Sequence, residues 1–106
     1  EELFGPVAIL YRAKNFDEAI RMANDSPYGL TASIHTSNLH RAQEFIRRVR
    51  AGVIHVNGNT YGSEPHMPFG GLKNSGNGTR EAGIEALDVY TQWKTVTVTH
   101  IPSKDE

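Results

Sequence analysis

The densest run of chemistry-bearing residues is "HMPFGGLKNSGNGTRE", His66 to Glu81, which holds Gly70, Gly71, Gly76 and Gly78 together with Lys73, Ser75 and Thr79. Glycines, a lysine and hydroxyls ahead of a helical pattern are the makings of a phosphate cradle, in which backbone N–H groups wrap an anion at a helix start. The spacing does not fit one. GxxxxGK[ST] needs a hydroxyl straight after the lysine, whereas Lys73 is followed by Asn74. GxGxxG must leave a strand directly and open a helix. Gly76 and Gly78 follow the nearest upstream strand pattern, which ends near Asn57, only after a long gap. The glycines therefore read as turn and close-approach residues. Phe69, set between Pro68 and Gly70, is left with two roles: a core anchor, or an aromatic presented to a pocket.

Other reactive types are sparse. His35, His40, His55, His66 and His100 are scattered without metal-ligand spacing, and there is no Cys to join them, so no metal site is expected. Without Cys the chain holds no thiol nucleophile and no disulfide, which fits a cytoplasmic location. Ser75 lacks the G-x-S-x-G setting of an acyl-transfer serine. Asn77-Gly-Thr79 is a formal glycosylation sequon, taken as coincidence since no secretion signal accompanies it.

The elements that must position these residues follow from hydrophobic periodicity. Pro6–Tyr11 is an apolar run of strand length. Phe16, Ala19, Ile20 and Ala23 make one helix face, and Asn15 with Glu18 is a capped start. Asn24–Gly29 is a turn, and Leu30–Thr36 alternates as a strand. Ala42, Phe45, Ile46 and Val49 stripe the clearest helix, with Gly52 suited to the position past its end. Val53–Asn57 is a short strand. A loop runs from about Gly58 to Gly78. Thr79–Thr91 reads as a third helix that buries Ile84, Leu87 and Tyr90, and Lys94–Ile101 alternates Thr and Val as a final strand. The order β-α-β-α-β-loop-α-β predicts an α/β fold with a mostly parallel sheet.

Two features disturb the picture of a self-sufficient domain. The loop of about twenty residues is too long for a compact small fold unless it has a task. The Thr/Val strand has no later element to cover it and invites pairing with another chain.

The bulk numbers describe an ordinary soluble chain: 106 residues, 38% hydrophobic, 22% charged, net charge −1. There is no basic excess for a nucleic-acid backbone, and no apolar run nears the roughly 18 residues that span a bilayer. Arg47-Arg-Val-Arg50 reads as a solvated helix face. Neither a nucleic acid nor a membrane is expected as partner.

In order along the chain, "EELFGPV", "ANDSPYGLTASIHT", "RAGVIHVN", "PFGGLKNSGNGTREAG" and "VYTQWKTVTV" resemble the C-terminal part of NAD(P)-dependent aldehyde dehydrogenases. The resemblance implies that residues 1–93 are part of the catalytic domain, that 94–101 form an oligomerisation strand, and that 102–106 are a flexible polar tail. It implies that Glu2 accepts hydrogen bonds from ribose hydroxyls on the nicotinamide side of NAD or NADP, and that Phe4 packs near the nicotinamide. A carboxylate suits a ribose diol because it only accepts. Phe69 becomes an aromatic wall of the aldehyde pocket, with Tyr61 helping to shape substrate choice; such pockets are mostly apolar.

The family's reaction uses a Cys thiolate that attacks the aldehyde, hydride transfer to NAD(P)+, and hydrolysis of the thioester by a Glu-activated water. The resemblance places those groups, and the dinucleotide-binding domain, upstream of this segment. The chain is thus expected to be catalytically silent alone and to self-associate through Lys94–Ile101. The rival expectation is a non-catalytic assembly or binding module derived from the same fold. The loop resembles that of relatives acting on semialdehydes and on aromatic aldehydes alike.

Overall fold

The computed structural model describes residues 2–101; the expected flexible tail, 102–106, lies outside them. Helix α1 (Phe16–Asn24) starts where Asn15 adopts an extended conformation and its Oδ1 accepts from the Glu18 N–H at 2.9 Å. Glu18 in return accepts from the Lys14 N–H at 2.7 Å, so side chains on either side of the helix start bond back across it. Helix α2 (Leu39–Arg48) is capped in the same way, with Asn38 Oδ1 accepting from the Arg41 N–H at 3.0 Å. Between them lie β1 (Tyr28–Gly29) and β2 (Thr31–Ile34); after α2 comes β3 (Val53–Val56).

Strands β2 and β3 pair in parallel, Thr31 opposite Val53 through Ile34 opposite Val56. A parallel pair needs a long crossover, and α2 supplies it. The core forms where that crossover and α1 meet. Ile20, Phe45 and Val49 are buried, and Phe16, Ala32, Ile34, Ala51 and Ile54 pack against them. Ala42 is buried as the stripe requires, whereas Ile46, at its edge, is 46% exposed.

The region expected as one long loop is partly paired. Strand β4 (Leu72–Lys73) runs antiparallel to β1, with Tyr28 opposite Lys73 and Gly29 opposite Leu72. Phe69 and Glu81 form an isolated antiparallel bridge. The described residues thus hold two separate two-stranded sheets, one antiparallel and one parallel.

Several local expectations differ. Pro6–Tyr11 and Lys94–Ile101 carry no strand ladder, because no neighbouring strand lies beside either among the described residues. The third helix shrinks to α3 (Ala86–Tyr90), since Ala82 (φ 60°) and Gly83 (φ 69°) take left-handed conformations that a helix cannot include. Ile84, Leu87 and Tyr90, expected on its buried side, are exposed. Tyr28–Gly29, expected as turn, is β1. Gly52 does not end α2: the cap is Val49, and Gly52 is needed because a Cβ there would lie 1.7 Å from the Gly70 carbonyl oxygen.

The molecule is open. Its radius of gyration is 21.9 Å, against about 13 Å for a compact domain of this length. Its accessible surface is 9343 Å², against about 5,900 Å² for a folded monomer of this size. Much of the excess is apolar: Leu3, Val7, Ile9, Leu10 and Tyr11 on one arm, Trp93, Val96, Val98 and Ile101 on the other. Such surface is normally covered in a stable fold.

Candidate active-site segment

The residue types singled out by the sequence cluster in the lobe between Asn57 and Gly83. Its near end is pinned by Asn57, which sits at φ 58°. The Asn57 side chain accepts from the Thr36 N–H at 2.8 Å and donates to the Thr36 carbonyl at 3.0 Å. Ser33 donates its hydroxyl to the Gly58 carbonyl. The ends of β2 and β3 are therefore tied together where the lobe departs. Asn is among the few residues besides Gly that tolerate this left-handed turn, and here its amide bonds across to Thr36.

The far end is strapped to residues 81–83. Phe69 and Glu81 exchange two backbone hydrogen bonds, each 2.9 Å, and the Gly83 N–H donates to the Pro65 carbonyl at 2.9 Å. Gly83 needs its missing side chain twice over, for φ 69° and because a Cβ would stand 3.2 Å from both His66 O and Pro68 N. Phe69 is half-buried at this closure, while Tyr61, midway along the lobe, is 79% exposed.

Beyond Phe69 the lobe folds onto the turns of the core. The Asn74 N–H donates to the Pro27 carbonyl at 3.0 Å, and the Gly29 N–H to Ser75 Oγ at 3.0 Å. Lys73 Nζ donates to the carbonyls of Asn24 and Ser26, both at 2.9 Å. Asn24 in turn donates to the Arg48 carbonyl at 2.9 Å and accepts from the Arg50 N–H at 2.8 Å. One polar network thus joins the end of α1, the end of α2 and the glycine lobe.

This network borders a cavity of about 560 Å³ lined by Glu2, Ser26, Tyr28, Arg50, Asn74 and Ser75 among others. Of the four residues expected to bind cofactor or substrate, Glu2 alone reaches this cavity; Phe4, Tyr61 and Phe69 do not line it, and Phe4 is 92% exposed. The described residues therefore do not assemble those four side chains into one pocket. Beside Glu2 the polar groups bordering the cavity are the hydroxyls of Ser26, Tyr28 and Ser75, the Asn74 amide and the Arg50 guanidinium.

Elsewhere the polar chemistry is ordinary. The buried Nε2 of His55 has no hydrogen-bond partner among the described residues. Among the same residues no three His, Cys, Asp or Glu side chains stand close enough to hold a metal ion. A hydrogen bond from Arg47 holds the Glu44 carboxyl below its usual pKa. No helix among the described residues is long and apolar enough to cross a membrane. No spacing in the sequence marks Lys73, Asn24 and Ser75 as a unit. Their bonds run to backbone atoms far along the chain, and backbone acceptors carry no residue signature.

A model of the aldehyde dehydrogenase family matches residues 1–96. The chain belongs to the aldehyde dehydrogenase family. A benzaldehyde dehydrogenase of Bacillus subtilis (strain 168) is 45% identical over 100 residues, 94% of this chain and 20% of that protein. A 2,5-dioxopentanoate dehydrogenase of Saccharolobus solfataricus is 52% identical over 97 residues, 91% of this chain and 20% of that protein. The crystal structure of a salicylaldehyde dehydrogenase from Pseudomonas putida G7, complexed with salicylaldehyde, superposes with a TM-score of 0.88 at 36% identity. That match covers 98% of this chain and 21% of that one. The open aldehyde dehydrogenase segment described here thus spans about a fifth of the length of the relatives it matches.

Proposed function

We propose that this chain is the C-terminal part of an NAD(P)-dependent aldehyde dehydrogenase, which oxidises an aldehyde to a carboxylic acid through a Cys-bound intermediate. The observation that carries this is the unbroken family match over residues 1–96 in a chain that spans a fifth of its relatives. NAD(P)+ supplies a hydride acceptor when bound. Glu2 holds ribose hydroxyls of the cofactor and Phe4 packs beside the nicotinamide. A half-buried, strapped Phe69 walls the aldehyde pocket, and exposed Tyr61 shapes its mouth. Lys94–Ile101 adds a strand to the sheet of a neighbouring subunit, which covers Val96 and Val98 and satisfies the backbone of that arm.

The 106 residues contain no Cys and so supply no thiol nucleophile. The open shape and bare apolar arms support a segment that is completed by other chain. The test is to assay NAD(P)+-dependent oxidation of benzaldehyde by the complete polypeptide and by the 106-residue chain. Turnover by the first and none by the second is expected; turnover by the short chain overturns the reading.

The absence of Cys also favours a second reading, a non-catalytic assembly module. An antibody to this chain separates the two. A band several times the mass of the chain in the source cells supports the enzyme. A band at its own mass supports the module.

A further inference from the structure

Lys73 stands in the left-handed region at φ 52°, a conformation that L side chains with a long stem rarely adopt. Its ammonium is tied down at the same time. Nζ donates to the carbonyls of Asn24, the last residue of α1, and of Ser26 in the turn beyond, both at 2.9 Å. Carbonyls at a helix C-terminus lack intrahelical partners and carry partial negative charge, so a cation with several N–H donors is suited to them. Adjacent bonds fasten the same point: Lys73 pairs with Tyr28, Asn74 N–H donates to Pro27, and Ser75 Oγ accepts from Gly29 N–H.

Phe69 lies four residues upstream, and the chain between has no slack. Gly70 lies against Gly52, and a Cβ on Gly71 would meet the Ser75 backbone oxygen at 2.4 Å. On its other side Phe69 is bonded to Glu81. Releasing Lys73 would loosen the Gly70–Ser75 turn, still tied through Asn74 and Ser75, and a shift there would pass to Phe69.

We propose that Lys73 is a positioning residue that sets where the Phe69 ring stands in the aldehyde pocket, an inference that rests on the reading of Phe69 given above. It acts through Phe69 and touches no reacting atom.

The test uses the complete polypeptide with Lys73→Met, Phe69→Leu and the double variant. Lys73→Met keeps the apolar stem and removes the donors. For each variant, kcat and KM are measured for benzaldehyde, for acetaldehyde and for the cofactor. Lys73→Met is expected to lower kcat/KM for benzaldehyde by about tenfold relative to acetaldehyde, chiefly through KM, since misplaced positioning groups cost large factors. Cofactor KM, which senses the same turn only through Asn74 and Ser75, changes by less than benzaldehyde KM. In the Phe69→Leu background the same substitution has little further effect, the non-additivity expected of residues that act as a unit.

Additive losses, equal losses on both aldehydes, or a lower Tm with unchanged selectivity overturn the proposal while leaving the enzyme reading intact. If Phe69→Leu alone changes neither aldehyde, the wall reading and the proposal fall together. Should Lys73→Met not fold, Lys73→Gln, which shortens the reach to the Asn24 and Ser26 carbonyls, is put through the same cycle.

Discussion

Gly52 and Gly70 meet backbone against backbone: a Cβ on Gly52 would lie 1.7 Å from the Gly70 carbonyl oxygen and 2.9 Å from Gly71 Cα. The first turn after α2 and the glycine lobe are therefore fitted to each other without room for a methyl group. Gly52→Ala in the complete polypeptide is expected to destabilise it by about 3 kcal/mol, the upper end for overpacking, because backbone cannot swing aside as a side chain can. Gly58→Ala is the control, since a Cβ there meets only His55 Cβ at 3.9 Å. Equal urea midpoints for the two variants would show that the contact is not tight.

Asn24 bridges the Arg48 carbonyl and the Arg50 N–H, and offers its own carbonyl to Lys73. Asn24→Ala leaves both partners of its side chain without a protein bond and is expected to cost about 2 kcal/mol. Asn24→Asp keeps the acceptor for Arg50 but turns a carboxylate oxygen toward the Arg48 carbonyl. It should therefore do no better than alanine. Thermal unfolding of the two variants ranks them; a fully stable Asp variant contradicts the bridge.

The parts of this fold that were legible in the sequence are those written in local spacing. Asn15 announces the start of α1 because its side chain bonds the N–H three residues on. The stripe of Ala42, Phe45 and Val49 is buried because its period matches the helix. The parts that were not legible depend on a distant partner. Leu72–Lys73 becomes a strand only because Tyr28–Gly29 lies beside it, and neither dipeptide has a strand pattern of its own. Pro6–Tyr11 and Lys94–Ile101 show the converse: apolar and β-branched residues mark a tendency to extend, and the ladder awaits a neighbour. At the candidate site, Phe69 stood out through its Pro and Gly neighbours. Lys73 looked like a failed phosphate lysine, because its true acceptors are main-chain carbonyls.

Glu44 offers a pH test. The hydrogen bond from Arg47, with Arg48 also within 3.7 Å, holds its carboxyl pKa below the usual value of 4.5. A carboxylate with a depressed folded-state pKa contributes stability that is full above the unfolded value and is lost as pH falls through the folded one. Glu44→Gln should therefore lower Tm slightly near neutral pH and make no difference in strong acid. The neutral-pH difference should shrink in high salt, as for any surface ion pair. A difference that persists in acid would assign the effect to packing instead.

Val96 and Val98 lie exposed on the C-terminal arm, two residues apart and so on one face of an extended chain. If this arm completes a neighbour's sheet, Val98→Asp places an unpaired charge in an apolar contact, which is costly. Sedimentation of the complete polypeptide should then show a smaller assembly, with the far-UV spectrum retained. An unchanged mass would place the subunit contact elsewhere.

The roles given to Glu2 and Phe69 differ in a way that kinetics separates. Glu2 borders a cavity with Ser26, Asn74 and Ser75, whereas Phe69 is held by Glu81 away from that cavity's lining. Glu2→Gln keeps the size of the side chain and exchanges an acceptor-only carboxylate for an amide. Hydrogen bonds to a charged group are the stronger kind, so kcat/KM for the cofactor should fall about tenfold. Phe69→Leu removes an aromatic surface and should act on the aldehyde alone. The two losses should multiply in the double variant, because the side chains share no partner. Cofactor saturation unchanged in Glu2→Gln would remove Glu2 from the site, and the cavity beside it would lose its assignment as the cofactor edge.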